Sequence, residues 1–495
     1  MSRVVNAHPH FSWWGAWREN LSASLRMPET PQRLIAGIGA AFVAAAAGVA
    51  STFISAPVAV RVTLGVPVIL ILARYRYVLL LLWALTDAFI GSTVPFFNGQ
   101  NLDTALTVPL LIAMVILPVG RCFRRMPALA VLLAFLAWVL AGISLSPLDL
   151  VSFLKSWTLE LNYVAIAVLT ICTVTTRRRL LVLIDCMLVL FTAIAIYGIY
   201  SYATHTNGVF DPTTGQFRIF IIYLDSAPSA ALSLLLALPL ALYRAITLRG
   251  PMRVMVWCAV ALLVIAIVLT FSRLAFISIA LIIIIMAPFL PSRKMLVSLL
   301  GGVVGLSILV GILAAVNNTS IFARFFNTDV ATLNGRTVLW VAVIKDFDPT
   351  HLLGNGMDAA HMFLVNAHLE GIADVPSNLF VTALYDYGII GVTLLGAAFA
   401  TLLISLLKGA WRATGEHRVL YAVAVAVLLC VLIESLELDD FQAQSIGIYF
   451  WILSALPFAD YWFQSPPTRA SDGEVAGEAD KVKDIEETQA AGRRT

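Results

Sequence analysis

Charge is the scarcest commodity in this sequence. Only 12% of its 495 residues are Asp, Glu, Lys or Arg, about half the share of an average soluble domain. A water-soluble chain of this length needs more polar surface, which excludes a soluble enzyme, even one with a membrane anchor. Cysteine is rare as well. Cys122, Cys172, Cys186, Cys258 and Cys430 include no CxxC pair and lie mostly within apolar runs. They read as small core residues, not as a disulfide framework or a metal site. No long basic stretch exists outside short loops, so nothing argues for nucleic-acid binding. No cleavable signal peptide is expected, because residues 1–33 are polar and basic and the first apolar run is full length. No internal repeat is visible, and an inverted-repeat transporter therefore finds no support.

What the sequence has in abundance is apolar length. Hydrophobic residues make up 60% of the chain and mean hydropathy is +0.90. A helix needs roughly 20 apolar residues to cross the hydrocarbon core. Runs near that length fall at 34–54, 57–73, 77–95, 104–119, 127–145, 155–175, 180–203, 226–246, 253–271, 274–291, 296–316, 380–407, 419–435 and 443–462. The expectation is an all-α polytopic membrane protein with about 14 transmembrane helices, or roughly 12 if doubtful pairs merge. The pair around Ser272 and Arg273 must turn tightly.

The basic residues set the orientation. Arg74 and Arg76, then Arg121, Arg124 and Arg125, then Arg177, Arg178 and Arg179, come after alternate runs. So do Arg244, Arg249 and Arg253, then Arg293 and Lys294, then Lys408, Arg412 and Arg418. Lys and Arg concentrate in cytoplasmic loops, so both termini are expected to be cytoplasmic. The chain then divides into a cytoplasmic segment 1–33, a membrane domain 34–463 and a disordered cytoplasmic tail 464–495. Residues 14–25 could instead form a short interfacial helix. The long external loops are 204–225 and 317–379, the second lying between spans 11 and 12 and too long to be a mere connector.

Some basic residues break the pattern: Arg61, Lys155, Arg218, Arg273, Arg324, Arg336 and Lys345. A charge inside a span costs about 2.5–3.5 kcal/mol on insertion scales and is a functional candidate by default. Arg61 and Lys155, near the ends of apolar runs, read as snorkelling side chains. Arg218, Arg273, Arg324 and Arg336 lie in or beside the long external loops. Arg presents a planar fork that takes phosphate oxygens two at a time, so these four suit an anionic lipid head group. Arg324 could equally pair with Asp329. The acidic group Glu434, Glu437, Asp439 and Asp440 reads as a solvated turn or as an anchor for one arginine.

One stretch carries a recognisable order of motifs. Asn334-Gly-Arg-Thr-Val-Leu-Trp340 is followed by Pro349 and Leu353-Gly-Asn-Gly356, and then by Ser377-Asn-Leu-Phe-Val-Thr-Ala-Leu-Tyr-Asp-Tyr-Gly-Ile-Ile-Gly391. This resembles the bacterial O-antigen ligase and Wzy-type O-antigen (polysaccharide) polymerase superfamily. Asn378, the spacing to Gly388, and Gly391 fit its pattern, and Thr270-Phe-Ser-Arg273 and Arg218 fit more loosely. Ser377 stands where the ligases carry a His that acts as general base, which favours a polymerase.

The resemblance implies a GT-C-like glycosyltransferase of the bacterial inner (plasma) membrane. It would move a glycan from undecaprenyl pyrophosphate onto a sugar hydroxyl of another lipid-linked repeat unit at the periplasmic face. A ligase serving a different acceptor, and a transporter or flippase of lipid-linked glycans, are the alternatives. Arg218 and Arg336 would stabilise the pyrophosphate leaving group, with no metal and no cofactor. Arg273, Arg324, Ser377, Asn378 and Asp386 would bind substrate. The base would come from His361, His368, Glu370, Asp374 or Asp386, although each His could be an ordinary loop histidine. Expected partners are the lipid-linked oligosaccharide, membrane lipids, a chain-length regulator and a flippase, with no nucleic acid.

Overall fold

The computed structural model describes residues 71–90, 102–206, 208–210, 217–219, 227–289, 336–367, 378–436 and 444–463, with residues 297, 300, 301 and 305. The chain divides into two units, Met1–Leu72 and Ala73–Thr495, and every helix and strand named below lies in the second. The expected runs at 34–54, nearly all of 57–73 and most of 296–316 lie outside the described residues. So do the segments 1–33 and 464–495, and Arg61, Arg324, His368, Glu370, Asp374 and Ser377.

Helices form where the apolar runs predict them. They are α1 (Arg76–Ile90), α2 (Leu102–Ile116), α3 (Val119–Arg125), α4 (Ala128–Ala141), α5 (Leu150–Thr173) and α6 (Arg177–Thr204). A small hairpin comes next, β1 (Gly208–Phe210) antiparallel to β2 (Phe217–Ile219). Then come α7 (Ala227–Thr247), α8 (Pro251–Leu269) and α9 (Arg273–Met286), and, after a gap in the described residues, α10 (Arg336–Asp346) and α11 (Ala359–Asn366). The chain continues with α12 (Leu379–Arg412), α13 (Gly415–Glu434) and α14 (Gln444–Ala455), closed by 3-10 turns at Leu456–Phe458 and Asp460–Phe463.

Seven of the described helices are long and apolar enough to cross a membrane. They become eight if α2 and α3, bent by 87°, count as one broken span. Pro118 marks that break, since proline denies the helix a donor and restricts the residue before it. The 24 residues of α5 reach about 36 Å, enough to clear the hydrocarbon core. Asp149 starts this helix by accepting from Val151 N at 2.9 Å and Ser152 N at 3.0 Å. Bulky apolar side chains such as Val115, Val189, Met255, Ile277 and Ile284 face outward, as lipid-facing positions require.

α7 is the hub. Its leucines from Leu232 to Leu242 are all buried, and α6, α8, α9 and α13 pack around it. A helix apolar on every side belongs inside a bundle. A second group joins α4 to α12, α5 to α2, α4 and α14, and α1 to α2 and α6. All five cysteines carry free thiols.

At one end of the bundle the basic clusters meet acids. Arg244 binds Asp185 through Nε at 2.7 Å and a terminal nitrogen at 2.9 Å. Arg177 forks onto Glu416 at 3.1 and 3.3 Å, and Tyr243 donates to the same carboxylate at 2.7 Å. Arg125 pairs with Asp460.

Candidate functional site

At the opposite end, α10, the turns 347–358 and α11 form a cap seated on the start of α12. Its core is Leu339, Val343, Ala359, Ala360, Leu364 and Tyr385, flanked by Phe347, Phe363 and Val381. The phenol of Tyr385 donates to Asp346 at 2.6 Å. Half of the expected external loop 317–379 is thus a folded cap, as its length suggests.

The cap is fixed to α12 at a break in that helix. Gly388 has φ 71° and ψ −174°, a region open in practice only to glycine. The break strips helical donors from the carbonyls before it, and buried carbonyls need partners. Asn355 N supplies one to Tyr385 O at 3.0 Å and Gly356 N one to Asp386 O at 2.8 Å. Trp138 Nε1 on α4 supplies the third, to Tyr387 O at 3.0 Å. The backbones touch so closely that a Cβ on Gly354 would lie 2.4 Å from Gly388 N, and one on Gly388 2.2 Å from Leu352 O. Gly-x-Gly and Gly388 are therefore two halves of one joint. At Gly388 the span meets the loop backbone, and at Gly391, one turn on, it lies close to Trp138 of α4.

Asp386 secures the same joint from its side chain. It is 3% exposed, and its carboxylate accepts from Asp358 N at 3.0 Å and Ala360 N at 2.7 Å. These are donors at the N-terminus of α11, which has no helical partners for them. Asn378 caps α12, accepting from Phe380 N at 3.0 Å and Val381 N at 3.2 Å. Leu379 N bonds to Ser435 O at 3.2 Å, tying α12 to the end of α13.

The other expected residues are spread over several elements. Arg336 opens α10, three residues before buried Leu339 and so on the same face. His361 lies on α11, partly buried. Arg273 begins α9 after a tight turn in which Phe271 takes φ 53°. Arg218 sits in β2 opposite Val209, and β2 packs on α6 and α7. Glu434, read from sequence with Glu437, Asp439 and Asp440 as a solvated turn or as an anchor for one arginine, is buried at the end of α13, where Ser278 donates to it at 3.3 Å, and the other three acids lie outside the described residues.

Beneath the cap lies a cavity of about 280 Å³ between α4, α5, α12 and α14. Asp358, Asp386, Glu160, Ser156 and Thr382 stand in its wall with apolar Leu132, Leu395, Phe399 and Trp451. Asp358 is not among the residues the sequence singles out. It has φ 71° and ψ 8°, uncommon for a residue with a side chain though tolerated by Asp. Burial pushes its carboxyl above the usual carboxylate range, and the charge of His361 opposes that shift.

Residues 258–396 match the family model Wzy_C, described as O-Antigen ligase. The match spans Arg273, Arg336, the cap and the Gly388 joint, and begins beyond Arg218. No curated protein matches the chain. The matched segment supports the O-antigen ligase and Wzy-type polymerase superfamily, in a protein with several helices able to cross a membrane.

Proposed function

We propose that this membrane protein, with its O-antigen ligase-type segment at 258–396, is a polysaccharide polymerase. The donor is a glycan on a polyprenyl pyrophosphate, and the acceptor is a sugar hydroxyl of another lipid-linked repeat unit. The observation that carries this reading is the joint between cap and span. Motif pieces some thirty residues apart interlock through backbone contacts at Gly354 and Gly388, which holds α10 and Arg336 over the bundle. Arg336 and Arg218 stabilise the departing pyrophosphate, because preorganised cations outside bulk water act strongly on developing charge. Arginine forks there stand in for a metal. Arg273, Arg324 and Ser377 contribute to substrate binding on this reading, and His361 and His368 remain candidates for proton transfer.

The full topology belongs to the same proposal. About 14 spans in a GT-C-like arrangement put both termini in the cytoplasm and the cap in the periplasm. The arginine-rich end, with its Arg177–Glu416 and Arg244–Asp185 pairs, is then cytoplasmic. A ligase is the second reading, favoured by the description of the matched family; Ser377 in place of a His speaks for the polymerase. A flippase or ion-coupled transporter is less well served. Two of the acids in described spans are held in place, Asp185 by Arg244 and Asp386 by backbone N–H groups.

The test uses purified protein and lipid-linked oligosaccharide with no ion gradient. Chain extension is expected, and Arg336→Ala or Arg218→Ala should lower it at least about 100-fold at unchanged expression. Near-normal extension by both variants would overturn the arginine assignment. Transfer only to a non-repeat acceptor would select the ligase.

A further inference from the structure

The cavity under the cap has chemistry of its own. Three carboxyl groups, Asp358, Asp386 and Glu160, stand in its wall, and like charges there disfavour an anion. A pyrophosphate is therefore a poor occupant. Two other wall groups ask for a ligand. Thr382 is 8% exposed and Trp451 is 1% exposed. Among the described residues, Thr382 Oγ1 and Trp451 Nε1 have no hydrogen-bond partner. Leaving a buried polar group without a partner is costly, so a ligand that satisfies both is favoured. Such a ligand is neutral, carries several hydroxyls that both give and accept hydrogen bonds, and has apolar faces for Phe135, Phe399 and Trp451. A sugar ring fits that description.

Asp358 is placed to act on such a ring. Its carboxylate caps no backbone group of its own helix and makes no hydrogen bond to any described residue. Its backbone is held in the left-handed region while its N–H is fixed by Asp386 at 3.0 Å. Asp386, by contrast, spends its carboxylate on that backbone.

We propose that the cavity holds the acceptor sugar and that Asp358 is the catalytic base for its hydroxyl. This rests on the glycosyl-transfer reading. The acceptor O–H bond breaks and the proton goes to the Asp358 carboxylate. The acceptor oxygen bonds to the anomeric carbon of the donor. The bond from that carbon to the pyrophosphate oxygen breaks, and its electron pair leaves with the pyrophosphate. Water then takes the proton from Asp358. Among the described residues, His361 on its own helix acts on Asp358 by its charge, and the titratable groups that share the cavity wall with it are Asp386 and Tyr387 on α12 and Glu160 and Tyr163 on α5. Burial raises the affinity of Asp358 for protons, so a base at this position loses activity on the acid side at a higher pH than an exposed Asp would.

The experiment measures extension by the full-length purified protein against acceptor concentration and pH. Asp358→Asn is expected to lower kcat at least about 100-fold, the range of a lost general base, with the acceptor KM little changed. It should also erase the acid limb of the pH profile, and Asp358→Glu should restore part of the rate. Thr382→Val should raise the acceptor KM several-fold and leave kcat intact. A kcat for Asp358→Asn within about fivefold of the parent, with the acid limb unchanged, overturns the assignment while leaving the glycosyl-transfer reading in place. No extension by the parent protein overturns both. If Asp358→Asn does not fold, the Asp358→Glu rate and the Thr382→Val KM decide: parental values in both also overturn the proposal.

Discussion

Gly388 shows how much of this architecture hangs on single side chains, or on their absence. A methyl group there meets Leu352 O at 2.2 Å, and an alanine cannot relax into another backbone region without moving the cap. The strain of a non-glycine residue in that region is of order 1–3 kcal/mol, before the clash is counted. Gly388→Ala is therefore expected to lower thermal stability in detergent and to expose the turns 347–358 to protease. Unchanged melting and an unchanged cleavage pattern would show that the joint is not needed. Asp358 makes the opposite case. Desolvation disfavours its charged form, so stability attached to its protonated form is lost as pH rises through its raised pKa. Asp358→Asn should then keep or raise the melting temperature at neutral pH, as expected where a group is retained for chemistry.

Among the elements, the helices were legible in the sequence and the joint between them was not. Apolar length and the alternation of basic clusters place α4 through α9 and α12 through α14, because lipid leaves the backbone no partner but itself. Asn378, which the resemblance implies binds substrate, caps α12 in the structure, as Asn ahead of an apolar run offers an oxygen to the first free N–H groups. Asp386 was legible as unusual but not in its role. Nothing local says that its oxygens meet Asp358 N and Ala360 N, which lie a loop away. Asp358 was invisible because its signal is conformational, a left-handed backbone facing a cavity. The acid–base pairs at the arginine-rich end were half legible: the basic members stood out, and their partners came from distant helices. Arg244 is 6% exposed but the Asp185 side chain is 47% exposed, so solvent screens the pair and its loss costs less than the about 3–5 kcal/mol of a fully buried one. Asp185→Asn should reduce folded yield. Exchanging the pair, Asp185→Arg with Arg244→Asp, should recover part of it, and an exchange no better than the single change would argue that the pair itself is not what matters.

At the scale of the whole molecule, the two ends of the bundle differ in kind. One gathers ion pairs from basic clusters and acids on separate helices. The other gathers the cap, the Gly388 joint, the cavity and the turn into α9. The positive-inside bias argues, on the proposed reading, for the arginine-rich end in the cytoplasm, and that placement can be tested directly. In a protein with its five cysteines replaced, single cysteines can be introduced at exposed sites on each end. His351 lies in the cap, Arg249 between α7 and α8, and Thr414 between α12 and α13. A membrane-impermeant thiol reagent added to spheroplasts should label His351→Cys at once. Arg249→Cys and Thr414→Cys should label only after the membrane is opened. The reverse pattern would put the cap in the cytoplasm, where a periplasmic polymerisation step has no place. Labelling of Arg249→Cys and His351→Cys from the same side would mean an even number of crossings between α7 and the cap, and would break the count of about 14 spans in the stretch holding α8, α9 and the residues up to 316.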